Sequence, residues 1–491
     1  MTDPTTTVGY PYKSLRFKIC ILMMLGLTTT VSMRVDLSMA VTCMVNSTAF
    51  TTPHQALLSN YTTDDSCPNL LGDAAVATES GYNGELLWSP HMQSLLFSAT
   101  FYGAMLTTSF SGIIADRFGA KFILLGVVLD YAIVTLFTPL LANYSYYGFF
   151  AARIIMGIGE GFTFPCLNSI VGKWFPPGER SSMAAIFTSG NQMAMVTSTL
   201  ISSWLCGSSW GWPSIFYLFG FLGFIWAIIW CIIFTSHPSS NKWISEEEKN
   251  YLSLYVPKKG KKHVLLPWRS VITSIPFWAA LSCQYTFNLQ AGILQAFVPT
   301  FLKEELHLPV ASNGLYSTIP FINQMVFKNV LGALADHLKR KGILSHTTSA
   351  KLFQTICAVG AGLSMLCLVL FSSCHYPWIV HIILGVLGFS LSSSVPGFFT
   401  SMLSLAPGHT GTIGSVAMIF GTLGNLSGPM ILSGLSLVTP DDKWTNLFLF
   451  CMVLNVLSGI FFFLCGSAEV QPWGRDKVAD VEMEKSESSG N

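Results

Sequence analysis

The chain has 491 residues, of which 51% are hydrophobic and only 10% charged, far below the roughly 25% charged residues usual in a soluble domain. Its 26 basic and 25 acidic residues nearly cancel, so no net field points to nucleic acid or to a peripheral, electrostatic attachment to membranes. The composition is that of a chain whose solvent is the lipid bilayer.

Residues 1–16 are polar and are expected to form a cytoplasmic N-terminus. The apolar run from about 17 to 45 is much longer than the hydrophobic core of a cleavable signal peptide, so it remains as the first span. A hydrocarbon core of about 30 Å needs about 20 apolar residues per helix. Further runs of that kind lie near 92–114, 120–141, 145–172, 182–206, 213–235, 275–302, 313–337, 349–373, 377–405, 409–435 and 443–467. The chain thus reads as an all-α membrane protein with twelve transmembrane helices and both termini on one side. Of the 26 Lys and Arg, all but five then fall on the side of the termini. Lys303 and Lys443 lie opposite, and Arg34, Arg153 and Lys328 lie within spans. This bias makes the termini cytoplasmic. The loop 46–91 then faces outward or into a lumen, and it carries two glycosylation sequons, at Asn46 and Asn60. The twelve cysteines are scattered through apolar runs, with Cys67 in the one long polar loop, and most read as small buried apolar residues.

An internal repeat runs at an offset of 220 residues. Gly112-Ile-Ile-Ala-Asp116-Arg117 follows the second span, and Gly332-Ala-Leu-Ala-Asp336-His337 follows the eighth. Residues 17–235 and 275–467 are therefore two six-helix halves. Residues 236–274 are a polar cytoplasmic linker and 468–491 a disordered cytoplasmic tail. Six plus six helices with this repeated loop resemble the major facilitator superfamily, whose parallel halves rock about a central site. Asp116, Arg117 and Asp336 read as a latch, ion pairs that form in one conformation and part in the other.

A charge near the bilayer centre costs at least about 2.5–3.5 kcal/mol on insertion scales and marks a cavity or a partner. Arg34, Asp36, Arg153, Glu160 and Asp130 qualify, with Lys328 close enough to the cytoplasmic end to snorkel. Arg153 and Glu160 are two helical turns apart, about 10 Å along one face, and are expected to share a cavity wall. Glycines 157, 159 and 161 around the carboxylate permit close helix approach. Arg34 reads as the clamp for a substrate anion, Arg153 as its organiser or a second anion contact, and Glu160 as the group that takes and releases a proton. Asp36 lies about 200° from Arg34 around the helix and is either a coupling residue or the partner of a polar group elsewhere. Asp130 reads as a structural hydrogen-bonding group. In the seventh span Gln284, Asn288 and Gln295 fall within about 40° of one another, with Gln284 and Asn288 as candidate substrate contacts.

Four segments narrow the resemblance: Met33-Arg-Val-Asp-Leu-Ser, Gly157-Ile-Gly-Glu-Gly-Phe-Thr-Phe-Pro, Lys173-Trp-Phe-Pro-Pro-Gly-Glu-Arg and Gly211-Trp-Pro-Ser-Ile-Phe-Tyr. Together they resemble the anion:cation symporters, solute carrier family seventeen. The resemblance implies that Arg34 and Arg153 match the family's first- and fourth-helix arginines and that Glu160 matches its proton-coupling glutamate. Phe97 stands where vesicular glutamate transporters carry His, and Cys283 where they carry Arg, which counts against glutamate. Asp36 replaces a frequent Asn. The closing Ala468–Trp473 segment is closer to the sialin and phosphate-transporter branches.

The function expected is secondary-active transport of a small organic anion or phosphate by alternating access, in a lysosomal, vesicular or plasma membrane. The protein would work as a monomer without metal or cofactor, with a proton, or else sodium, as coupling ion. Potential-driven transport, or a non-transporting receptor on the same fold, are the alternatives. A membrane enzyme is not expected, because the chain has no metal-ligand cluster, nucleophile elbow or phosphate-binding loop.

Overall fold

The computed structural model describes residues 14–46, 49, 74–82, 84–176, 179–255, 267–406 and 410–474; Asn60, Cys67 and residues from 475 lie outside the described residues. Residues 468–474, expected to belong to a disordered tail, are instead docked on the second unit, where the Ala468 N–H bonds the Thr347 hydroxyl at 3.1 Å and the Gln471 N–H the Leu405 carbonyl at 2.9 Å. Twelve long helices stand where the twelve apolar runs were read. They are α1 (Leu15–Met44), α2 (Pro90–Phe118), α3 (Ala120–Tyr144), α4 (Tyr146–Trp174), α5 (Arg180–Cys206), α6 (Pro213–Ile233), α7 (Ile275–Leu306), α8 (Ile319–Arg340), α9 (His346–Phe371), α10 (Pro377–Ser392), α11 (Thr410–Val438) and α12 (Lys443–Cys465). Lipid offers no hydrogen-bonding partners to a backbone, so each apolar run closes its own as a helix. Eight are long and apolar enough to be recognised as spans by hydropathy alone, while α2, α5, α7 and α8 are not. Large apolar side chains such as Phe122, Leu140, Ile228 and Leu464 are exposed, as a lipid-facing surface requires.

Two spans depart from continuous helices. The eighth begins as a separate short helix, Val310–Ser317, and restarts at Ile319, where Pro320 lacks the N–H that would continue the first. The tenth breaks after Ser392 into a π-type turn at Val395–Phe399, with non-helical backbone at Gly397. Gln354 of α9 fills the break, its Oε1 accepting the Phe398 N–H at 3.4 Å. A Cβ on Gly397 would lie 2.9 Å from that oxygen.

The chain divides into two compact units, residues 1–44 with 99–262, and 45–98 with 263–491. In the first, α1 lies along α5 and α6, and α3 packs on α4 and α6; in the second, α7 lies along α11 and α12, and α9 packs on α10 and α12. These pairings repeat after a shift of six helices, which is the sequence repeat expressed in three dimensions.

Within the first unit a disulfide joins Cys43 to Cys206, at the ends of α1 and α5. Five of the free cysteines (Cys20, Cys166, Cys283, Cys357 and Cys451) are buried, as read from the sequence, but this bridge was not foreseen because both partners close apolar runs. Cys374 is disulfide-bonded as well. The linker helix Glu246–Tyr255 is pinned to the start of α1. Glu248 accepts the N–H groups of Leu15 and Arg16 at 2.9 and 3.0 Å, capping a helix N-terminus with negative charge. Arg16 in turn sits 3.2 Å from Glu179 and over the ring of Tyr251. Arg180 closes the end of α4 by donating to the carbonyls of Phe175 and Gly172.

In the second unit the segment around Tyr82 docks beside the end of α7. Tyr82 donates to the Leu308 carbonyl at 2.7 Å and accepts from Asn313 at 3.1 Å. Lys303, just past the seventh span, stands 4.3 Å from the centre of its ring, and burial lowers its ammonium to about 8. Lys443 pairs with Glu304 at 2.7 Å. Burial and the neighbouring Glu304 carboxylate raise Glu305 to about 7.

Candidate functional site

The charged residues of the first unit meet where α1, α3 and α4 come together. Arg34 Nη1 lies 2.7 Å from Glu160 Oε1, with the two side chains 13% and 15% exposed. The other oxygen, Oε2, accepts the hydroxyl of Tyr131, which is itself fully buried on α3. Both carboxylate oxygens of Glu160 are therefore occupied, one by a cation and one by a phenol, while the pair keeps limited contact with solvent. Arg34 also lies 5.6 Å from the centre of the Phe101 ring.

Arg153 projects toward the same helix as Glu160, as a spacing of two turns requires. It is only 1% exposed. Its Nη2 donates to the Arg34 carbonyl at 2.9 Å and its Nη1 to the Met33 carbonyl at 3.4 Å. Asp36 is completely buried. Among the described residues neither of its oxygens accepts a hydrogen bond, and Arg153 is the cation whose charge acts on it. The 200° between Arg34 and Asp36 thus sends the two neighbours to different partners, Arg34 to Glu160 and Asp36 to the field of Arg153.

The glycines of α4 explain how the helices come so close. A Cβ on Gly157 or Gly161 would run into Thr100 or Thr107 of α2, and the Thr107 hydroxyl bonds the Ile158 carbonyl at 3.0 Å. Gly159 faces α3, where a Cβ would meet Asp130 Oδ2 at 3.0 Å and the Tyr131 ring at 3.6 Å. Asp130 makes no hydrogen bond to a described residue and packs over this glycine, so the hydrogen-bonding role read for it is not seen. The bare backbone at Gly159 lets the Tyr131 hydroxyl reach Glu160.

Arg153 and Asp36 are expected to depend on each other, since both are buried and the charge of one acts on the other. Arg153→Ala is expected to cost about 1–3 kcal/mol of stability, since it removes the hydrogen bonds to the carbonyls of Met33 and Arg34 and the positive charge acting on buried Asp36. Asp36→Asn in the same chain should recover part of that loss. Thermal unfolding of the two variants in detergent checks this, and equal losses in both would show that Asp36 does not depend on the guanidinium.

The remaining residues read from the sequence are described within their own units. Gln284 and Asn288 are in the second unit, where Asn288 donates to the Gln284 carbonyl at 2.8 Å and Asn425 of α11 donates to Asn288 at 3.4 Å. Tyr285 bonds Ser427 alongside them at 2.9 Å. Asp336 is exposed and pairs with Lys339 one turn on, at 2.8 Å. Arg117 is exposed beside the Phe118 ring, and Asp116 occupies the last turn of α2. Lys328 is half-buried on α8. The Asn46 N–H bonds the Leu86 carbonyl at 2.9 Å.

Three residues escaped the sequence reading. Tyr131 is adjacent to the Asp130 that drew attention, and a phenol carries little of the insertion cost that flags a charge. Its signal is a tyrosine at mid-span, where an interfacial position is usual. Asn425 is a lone amide within the eleventh span. Gln290 is fully buried with both amide atoms unpartnered among the described residues, and it lies off the Gln284–Asn288 stripe.

Comparison with known proteins agrees with this architecture. The family description "Major Facilitator Superfamily" matches residues 35–429. The chain belongs to the major facilitator superfamily. It is 35% identical to an uncharacterized transporter, slc-17.3, of Caenorhabditis elegans, over 96% of this chain and 92% of that protein. It is 29% identical to sialin of Homo sapiens, over 94% and 91%. It is 30% identical to a putative inorganic phosphate cotransporter of Drosophila melanogaster, over 93% and 86%. Within the superfamily the chain is thus a member of solute carrier family seventeen, a family of transporters and not of enzymes. A D-xylose–proton symporter of known structure matches with a TM-score of 0.66 at 12% identity, covering 93% of this chain and 99% of that one, which shows the shared fold. As a facilitator-superfamily transporter, the protein spans the membrane many times and moves a small solute by alternating access.

Proposed function

We propose that the protein is a proton-coupled transporter of a small anion, an organic carboxylate or inorganic phosphate, with Arg34 as the anion clamp, Glu160 as the proton carrier and Arg153 as the residue that organises them. The observation that carries this reading is the Arg34–Glu160 pair at 2.7 Å, partly open to solvent. An anion that binds the Arg34 guanidinium must displace the Glu160 carboxylate, and the displaced carboxylate is best accommodated by taking a proton. The empty pair is electrically neutral. A monoanion on Arg34 with protonated Glu160 is neutral as well, whereas the anion without the proton carries a net negative charge, which is costly in a low-dielectric surrounding. Only the two neutral forms reorient easily, and that is the rule of symport.

Arg153 acts through the backbone of α1 and with Asp36, which also stands available as a second proton acceptor. Gln284 and Asn288 offer neutral hydrogen-bonding groups suited to the uncharged part of an organic anion. Phe97 and Cys283 supply none of the polar groups expected for glutamate. The latch role of Asp116, Arg117 and Asp336 and glycosylation of Asn46 and Asn60 belong to the same reading. So do cytoplasmic termini, supported by the basic residues and by the Cys43–Cys206 bridge at the opposite end, where an oxidising environment keeps disulfides intact. The relatives named sialin and phosphate cotransporter point to a lysosomal or a plasma membrane respectively.

Uptake of radiolabelled sialic acid, other monocarboxylates and phosphate into proteoliposomes tests the reading, with proton and sodium gradients imposed separately. The expected result is uphill accumulation driven by the proton gradient, electrically silent for a monoanion. Accumulation that follows sodium and ignores pH would overturn the proton role.

A further inference from the structure

The phenol of Tyr131 occupies the one Glu160 oxygen that Arg34 leaves open, and nothing in the transport cycle above uses it. We propose that Tyr131 is the positioning residue of the site: it holds the Glu160 carboxyl in both protonation states and sets the pH at which that carboxyl releases Arg34. The proposal rests on the reading of Glu160 as the group that exchanges a proton.

A phenol can donate to a carboxylate and can accept from a carboxylic acid, so Tyr131 satisfies Glu160 on either side of its titration. Arg34 can serve only the charged form. When an anion draws Arg34 away, the phenol remains, because α3 and α4 are packed together at Gly159, where a Cβ would lie 3.6 Å from the Tyr131 ring. The other ionisable groups around Glu160 are accounted for. From α1 come Arg34 and Asp36, the latter acted on by Arg153; from α3 comes Asp130 over Gly159. The facing part of α2 brings hydroxyls, and α5 between 183 and 204 has no ionisable side chain. Tyr131 is therefore the neutral group through which the carboxyl can be tuned without changing the charge of the site.

The experiment is an infrared pH titration of the purified, substrate-free protein, following the carboxylic acid C=O band that Glu160→Gln removes. Donation to the charged form favours it, so Tyr131→Phe should move the titration midpoint upward by about one pH unit, with the pH profile of sialic acid or phosphate uptake moving by the same amount. Replacing Tyr131 with 3-fluorotyrosine keeps the hydroxyl and its packing but makes it a stronger donor, and should move the midpoint downward, which keeps the test intact if the Phe variant does not fold. An unchanged midpoint in both variants, or the absence of a titrating band that depends on Glu160, overturns the proposal. A shifted infrared midpoint together with uptake that ignores pH would uphold Tyr131 and locate the failure in the proton-coupled reading.

Discussion

Replacing Arg34 with alanine is expected to abolish anion uptake while folded protein still reaches the membrane. The guanidinium is the only cation of the cluster that keeps contact with solvent; Arg153 is buried, with its hydrogen bonds directed at the carbonyls of α1. No neighbour can take over the anion. A charge-assisted hydrogen bond to a buried carboxylate is worth about 1.5–3 kcal/mol net, so losing one such bond already lowers the apparent affinity about 10- to 100-fold, and losing a two-pronged contact lowers it further. Arg34→Lys keeps the charge but not the planar fork and should retain a small fraction of uptake. Tracer uptake in proteoliposomes, normalised to folded protein by size-exclusion profile, checks both. Ordinary uptake by the alanine variant would remove Arg34 from the site.

Glu160→Gln is expected to abolish uphill accumulation while sparing exchange of anion for anion. The amide cannot change charge, so it mimics the protonated acid and leaves Arg34 permanently open to the anion. The loaded carrier is then neutral and still reorients. The empty carrier has lost the Glu160 charge and must cross with one more net positive charge, a step slowed by the cost of charge in the membrane. Net uptake driven by a pH gradient should fall at least about tenfold if the extra charge adds as little as about 1.4 kcal/mol to that barrier. Counterflow against an internal pool of the same anion should persist. Undiminished accumulation under a pH gradient would assign the proton to another group, with Asp36 the first to examine.

The location of the helices and the repeat could be read from the sequence because the cause is local. Twenty apolar residues in a row must close their own hydrogen bonds in lipid, whatever lies beside them. Even α2, α5, α7 and α8, which a strict hydropathy criterion passes over, read as runs of about 20 largely apolar residues. The breaks at Thr318 and Gly397 follow from prolines at 320 and 396, yet whether a proline bends or interrupts a span depends on neighbours such as Gln354 that fill the gap.

Arg34, Asp36, Arg153 and Glu160 were likewise marked by sequence alone, since a charge in a span is costly wherever it sits. Their pairing was not. Arg34 and Glu160 are 126 residues apart, and which guanidinium meets which carboxylate depends on the rotation and height of α1 against α4 to within about one residue. The same holds for the Tyr131 hydroxyl, brought within reach by a missing side chain at Gly159, and for Cys43 and Cys206, joined across 163 residues. Insertion cost acts on each residue separately and is written along the chain. Hydrogen bonds and ion pairs act over about 3 Å between helices remote in sequence, so only their packing could decide them.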